Sequence, residues 1–394
     1  MKITAHDTRP TLGLAAIVLG LMAMSLVVAC RGGGGAAADS SPTPEGIVAV
    51  GRMNEHRRVH TATLLPDGTV LVIGTEFRRY EPPLVATEVF DPVRRERRVA
   101  ADMLKARKSH PMSLLPDGRV AVAGGQGVTA FLSSLEIYDP ATGVWSEGAR
   151  MSDVRAFHAA VVLTDGRLLV VGGMVRTYRS SAEVYDPAAD QWSSTGSMTQ
   201  ERSHHTATLL RDGTVLVAGG RSRDERALAT AEVYDPATGE WSQADGMDDA
   251  RREHVTVLLM DGRALVIGGE GADMLLSSAE VYDPSSGLWS PTAPMPEPRA
   301  GHTATVLADG RVLVAGGRSP EVPYLSSSIV YDPATGLWSS VAPMGIHRVS
   351  HSATLLNDGT VLVAGGSNDE GTLDIAEVYD PVRDLWAGPP VKKR

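Results

Sequence analysis

One cysteine in 394 residues, Cys30, rules out any disulfide framework within the chain. Stability therefore has to come from packing and from how the chain closes on itself. Positive charge is also short. The formal net charge is −10, which argues against a nucleic-acid binder held by a general basic field. Paired carboxylates at catalytic spacing do not stand out, and the Ser-x-Asp-x-Gly-x-Thr-Trp box of sialidases is missing. Charge is missing altogether from Leu12 to Ala29, an apolar run preceded by Lys2 and Arg9 and closed by Cys30. A bare membrane span would just fit that length. A charged start, an apolar centre and a small residue before the break read better as a signal peptide over residues 1–29.

What is present is one sentence written seven times. Arg-x-x-His recurs with its histidine at His60, His110, His158, His205, His254, His302 and His351, spaced 47–50 residues apart. A period near fifty marks a repeat architecture, and it overrides the usual length arithmetic for domain number. Each unit reads as four short strands. The first alternates polar and apolar residues and ends at Asp-Gly, from Asp67-Gly68 to Asp358-Gly359, a strong hairpin signal. The second, Val-Leu-Val-Ala in three copies, is continuously apolar, as for a strand covered on both faces. Gly-Gly follows it in six units and Gly74-Thr75 in the first. The third strand ends at Asp-Pro, which is turn chemistry. The fourth holds all six tryptophans: Trp145, Trp192, Trp241, Trp289, Trp338 and Trp386.

Four-stranded units of this length suit radial stacking, which leaves only short sheet edges. The pattern of Gly-Gly, then Tyr-Asp-Pro, then Trp resembles the kelch repeat family. The resemblance covers residues 47–394 and implies an all-β, seven-bladed kelch-type β-propeller with four antiparallel strands per blade. Val27-Val28-Ala29-Cys30 likewise resembles the lipobox of bacterial lipoproteins. It implies lipidation at Cys30, a membrane anchor in the cell envelope on its periplasmic or outer side, and a flexible tether over 30–46. Residues 47–53 place Met53 in the register of the methionines that follow the fourth strands. The seventh unit nevertheless carries its own fourth strand, so the sequence leaves open which end closes the ring.

Seven Arg-x-x-His pairs invite a metal reading. A seven-fold ring is too wide to bring three or four ligands to about 2 Å of one point, so a structural role is expected and no metal or cofactor. Each arginine has a candidate partner in strand three, namely Glu88, Glu136, Glu183, Glu232, Glu280 or Glu377, with partly buried pairs expected at blade junctions. Only the sixth unit lacks one, having Ile329. The tryptophans are expected to pack between blades. The first unit departs most: Phe90 replaces tyrosine, Arg97 stands in the tryptophan register, and Arg94, Arg95, Arg97 and Arg98 crowd the fourth strand. That basic run reads as a solvated face, with contact to anionic headgroups or polysaccharide as the alternative.

Function is expected where the copies disagree. The loops after strands two and four open on one face, the face on which kelch-like propellers bind partners. They carry Arg78, Arg79, Tyr80, Phe131, Arg176, Tyr178, Arg179, Arg221, Arg223, Arg226 and Tyr324, residue types enriched at binding hot spots. The arginines of units three and four form a basic arc, and the acidic Glu270, Asp273, Asp369, Glu370 and Asp374 are expected further round. The resemblance also brings in the galactose oxidase family, whose copper-radical cofactor needs a tyrosine joined to a cysteine. With Cys30 outside the repeats, that chemistry is disfavoured. The expected role is a monomeric binding or scaffold module for a protein or an acidic glycan of the envelope. A carbohydrate-active enzyme of mutarotase, lyase or hydrolase type is the alternative.

Overall fold

The computed structural model describes residues 52–75, 85–94, 96–224 and 226–388. Among them there is no helix, and seven four-stranded antiparallel sheets follow one another along the chain. Blade one comprises Thr61–Leu64, Val70–Ile73, Glu88–Asp91 and Glu96–Val99. The first strand of every blade neighbours the first strands of the blades before and after it, and that of blade seven returns to blade one. The fold is a seven-bladed β-propeller.

Sequence dictates the layering inside each blade. Every second strand is buried along its whole length, from Val70–Ile73 to Val361–Ala364, because it is sandwiched between two neighbouring sheets. Side chains of adjacent blades mix in each apolar cluster. Leu65 and Leu71 of blade one, for example, meet Tyr138 and Trp145 of blade two. Tyrosine and tryptophan of one blade stack at 5.0–5.2 Å between ring centroids in blades two to seven. The indole N–H then donates to the blade before, as from Trp192 to the Ala149 carbonyl at 2.9 Å and from Trp145 to Thr87 Oγ1 at 2.9 Å. The tryptophans thus pack between blades, but only Trp145 is fully buried; the other five are half-buried.

Both chain ends share the closure. Blade seven is complete within the last repeat, with Leu385–Ala387 as its fourth strand. The N-terminal segment supplies the link across to blade one: Met53 N donates to Asp374 O at 2.6 Å, Arg57 N to Leu373 O at 2.9 Å, and Arg52 bridges Ile375. Residues 52–57 thus do for this junction what the stretch after each tryptophan does elsewhere.

Candidate functional site

The arginine of each Arg-x-x-His is fully buried, all seven at 0% exposure. Its backbone belongs to one blade and its side chain to the next. Arg155 O accepts from Gly125 N of blade two at 2.8 Å, while its guanidinium reaches Gly172 O at 3.1 Å and Glu183 at 2.7 Å in blade three. The same pairing joins Arg57 to Glu88, Arg107 to Glu136, Arg202 to Glu232, Arg251 to Glu280 and Arg348 to Glu377. The glutamate's other oxygen commonly accepts N–H groups of the incoming linker, as Glu183 does from Ser152 at 2.7 Å. These pairs are wholly buried, where the sequence suggested partial burial; the terminal guanidinium nitrogens meet carbonyl and carboxylate oxygens, while Nε of Arg107, Arg155, Arg202 and Arg251 has no partner among the described residues. In blade six, where Ile329 stands, Arg299 turns to Glu297 of its own linker at 2.6 Å. The glycine pair makes room for this. A Cβ on Gly172 would stand 2.7 Å from Arg202 O and 2.6 Å from His205 Cε1, and its φ is +66°.

The histidines line the channel just inside. Burial, and next the neighbouring arginine charge, push His110 and His302 down to about 3, so the ring is neutral. Partners obey a simple rule. The residue after the histidine in the preceding blade supplies a hydroxyl or nothing. Ser352, Thr61, Thr206 and Thr303 lie 2.9–3.4 Å from Nε2 of His60, His110, His254 and His351. Pro111, Ala159 and Val255 occupy that place for His158, His205 and His302, whose Nε2 atoms have no protein partner among the described residues.

Above the histidines runs a second ring, formed by the residue just before each. Val59, Ser109, Phe157, His204, Glu253 and Ser350 all hold φ of 52–56°, and Gly301 stands in the seventh place at 64°. Left-handed backbone is uncommon for any residue with a Cβ and an outlier for valine or phenylalanine. It is offset here by hydrogen bonds round the axis: Phe157 N to Ser109 O, His204 N to Phe157 O, Glu253 N to His204 O, Ser350 N to Gly301 O and Val59 N to Ser350 O, at 3.0–3.3 Å. All of these but Glu253 and Gly301, with five of the seven histidines, line a bowl of about 350 Å³ at the channel mouth. On one side Phe157 stacks on His204 at 4.3 Å. Burial, and next the charges of Arg221 and Arg252, lower the His204 imidazole to about 4. Burial and then Glu270 push the neighbouring Glu253 carboxyl upward. Outside this ring, Arg252 and Arg318 both clasp Glu270.

The strand-two loops of blades two to seven open on this same face, each bridged to the linker beside it, as at Ser203–Arg221 and Arg252–Glu270. Arg78, Arg79, Tyr80 and Cys30 lie outside the described residues. Phe131 and Tyr178 are half-buried in their loops, and Arg176 is exposed. Arg179 meets Asp153 at 3.1 Å, Arg223 meets Glu201 at 2.8 Å and Arg226 meets Asp224 at 3.5 Å, so much of the outer arc is already paired. Arg221 alone of the expected arc reaches the mouth cluster. Tyr324 joins His56 and Arg58 at a separate pocket of about 420 Å³. Glu270 is not part of a distant acidic sector: it sits at the centre of the cationic cluster. Sequence reasoning missed Phe157, His204 and Glu253 because they stand inside the repeated motif. The usable signal was that this one motif position differs in nearly every copy.

The Kelch motif family matches residues 116–152, 155–199, 202–247, 251–296 and 298–345, more than half of the chain, and the chain belongs to it. No curated protein matches it. Similar solved structures include a novel fungal alcohol oxidase with catalytic diversity among the AA5 family, in complex with copper. It is 20% identical, with a TM-score of 0.69 over 86% of this chain and 77% of that one. At that identity the likeness is one of fold. Among the described residues no three His, Cys, Asp or Glu side chains are grouped to hold a metal ion.

Proposed function

We propose that this propeller is an envelope-anchored binding module whose channel-mouth face takes an anionic partner, either an acidic protein segment or an acidic polysaccharide. One observation carries the reading. Arg221, Arg252 and Arg318 gather about Glu253 and Glu270 beside the mouth, in a protein of net charge −10. Guanidinium forks suit carboxylate, sulfate or uronate oxygens, and the Phe157–His204 stack offers an apolar platform beside them. The anchor rests on the lipobox-like Val27–Cys30. Cys30→Ser should leave the chain unprocessed or unanchored, and mass spectrometry finding an unmodified mature terminus elsewhere would remove this part of the reading.

The binding test uses the full chain against acidic oligosaccharides and Asp/Glu-rich peptides. Affinity should fall with added salt. It should drop strongly in Arg221→Ala combined with Arg252→Ala and Arg318→Ala, while the outer-arc pair Arg223→Ala with Arg226→Ala changes it less. A ligand bound with the same affinity and salt slope by all three proteins would refute the site. A second reading, a carbohydrate-active enzyme, draws on Glu253 alone, whose raised carboxyl suits a general acid. Glycan turnover abolished by Glu253→Gln would put that reading ahead.

A further inference from the structure

The face opposite the channel mouth carries the turns between strands three and four. Five of the seven carry only small residues at their tips: Ala141-Thr142, Ala188-Ala189, Ala237-Thr238, Ser285-Ser286 and Ala334-Thr335. The other two read Asp-Pro-Val-Arg, at Val93-Arg94 in blade one and Val382-Arg383 in blade seven. They lie at opposite ends of the chain, yet ring closure makes their blades neighbours.

Both turns are built alike. Asp91 Oδ1 accepts from Val93 N and Arg94 N at 2.9 Å, and Asp380 Oδ1 accepts from Val382 N and Arg383 N at 2.9 and 3.1 Å. Each cage draws its carboxylate inward and pushes the valine out, to 88% exposure at Val93 and 93% at Val382. Arg94 and Arg383 stand beside them with side chains 76% and 58% exposed. Arg97 and Arg98 add two more exposed cations where the other blades carry tryptophan and serine or alanine. Carboxylates are present too: Arg383 pairs with Asp380 at 3.0 Å, while the ion pairs at 3.8 Å for Arg94 and 3.9 Å for Arg98 are loose, and all are surface contacts. Beside each exposed valine stands a largely exposed arginine. Leu385 on the edge of blade seven, 52% exposed, extends the apolar surface.

We infer that the Val-Arg turns of blades one and seven form a membrane-contact edge that rests on an anionic phospholipid surface. The valines enter the headgroup layer while the arginines bond lipid phosphates and keep their stems along the apolar boundary. Convex tips suit a soft, yielding surface, whereas a protein partner would need matching hollows. The inference rests on the envelope reading for its biological setting, not for its chemistry.

The test is hydrogen exchange of the full chain on vesicles of phosphatidylcholine with phosphatidylglycerol, against vesicles of phosphatidylcholine alone. Exchange at residues 91–97 and 380–386 should slow severalfold on the anionic vesicles only, while the corresponding turns of blades three to five stay unchanged. The protection should vanish in Val93→Ala, Arg94→Thr, Val382→Ala, Arg383→Thr combined, which imports the Ala-Thr tip of blades two, four and six and leaves the Asp cages in place. Unchanged exchange, protection spread evenly over all turns, indifference to anionic lipid, or persistence in the fourfold variant would each overturn it. The Cys30→Ser chain separates the two claims: turn protection that survives loss of anchoring supports this edge even where the anchor reading fails.

Discussion

The inner and outer edges of the same blade junction obey different rules. At the inner edge seven arginines are all fully buried and seven histidines are all neutral, without one substitution round the ring. At the outer edge tryptophan occupies six positions, five of them half-buried, and the seventh is Arg97. First strands converge on the axis, so space there is tight, and the buried charges must meet opposite charges even though several buried nitrogens go unmatched among the described residues. Outer strands diverge, and the gap between them can be filled by an indole or left open. Where the indole is missing, between blades seven and one, there is a cleft of about 650 Å³. The ring tolerates it.

The largest expected effect lies at the inner edge and is set by pH. Burial holds His60, His110, His254 and His302 near 3 and lowers His158, His205 and His351 as well. These bases stay neutral when folded but take a proton near the ordinary imidazole value of about 6.5 when unfolded. Their contribution to stability is therefore complete above about 6.5 and is lost as pH falls toward 3, at up to about 1.4 kcal/mol per unit for each imidazole. Denaturant midpoints should drop steeply between about pH 7 and about pH 5, before most carboxylates titrate. A flat profile across that interval would show that the ring does not govern stability.

Next comes the buried ion pair. Arg155→Met strands Glu183 without its cation and should cost about 3–5 kcal/mol in equilibrium unfolding. Arg299→Met should cost less, about 2 kcal/mol from unmet carbonyls, because Glu297 is 33% exposed and can turn to water. Equal losses would mean that the strand-three glutamates add nothing beyond the backbone contacts.

The outer edge should respond more gently. Trp145→Ala removes a side chain only 4% exposed and is expected to cost about 3–5 kcal/mol. Trp289→Ala, half-buried with its N–H on Asp245 O at 2.9 Å, should cost about 2 kcal/mol. If the two lose the same amount, burial is not what separates them.

Blade architecture was legible because Asp-Gly, Gly-Gly and Asp-Pro each impose backbone geometry locally, and seven copies in register leave little freedom. The Arg–Glu pairing was legible for a related reason: a cation and an anion recur at fixed positions in six of the seven units. Ring closure was not, because Met53 and Trp386 each fit their repeat position and only packing against Asp374 and Leu373 shows that both are used. The site was half legible. Loop residues such as Arg221 were visible as departures from the repeat, whereas Phe157, His204 and Glu253 were hidden by the invariant residues on either side. Their common φ near 54° is a property of the ring as a whole.

The smallest effect tests the hydroxyl rule of the histidine ring. His205 Nε2 is buried without a protein partner, and the residue facing it is Ala159 of blade three. Threonine at that strand position already serves His110, His254 and His351 at 3.0–3.4 Å from Thr61, Thr206 and Thr303. Ala159→Thr therefore imports a side chain the ring accommodates elsewhere and satisfies a buried nitrogen, which should raise stability by about 1 kcal/mol. Thr303→Ala should do the reverse at His351. The readouts are unfolding midpoints together with the nitrogen-15 shifts of the two imidazoles, which report the new and the lost hydrogen bond directly. A stabilised Ala159→Thr with an unmoved His205 shift would credit strand propensity instead. A destabilised one would mean that the space facing His205 differs from its counterparts, and the rule would fail at the blade where it matters most.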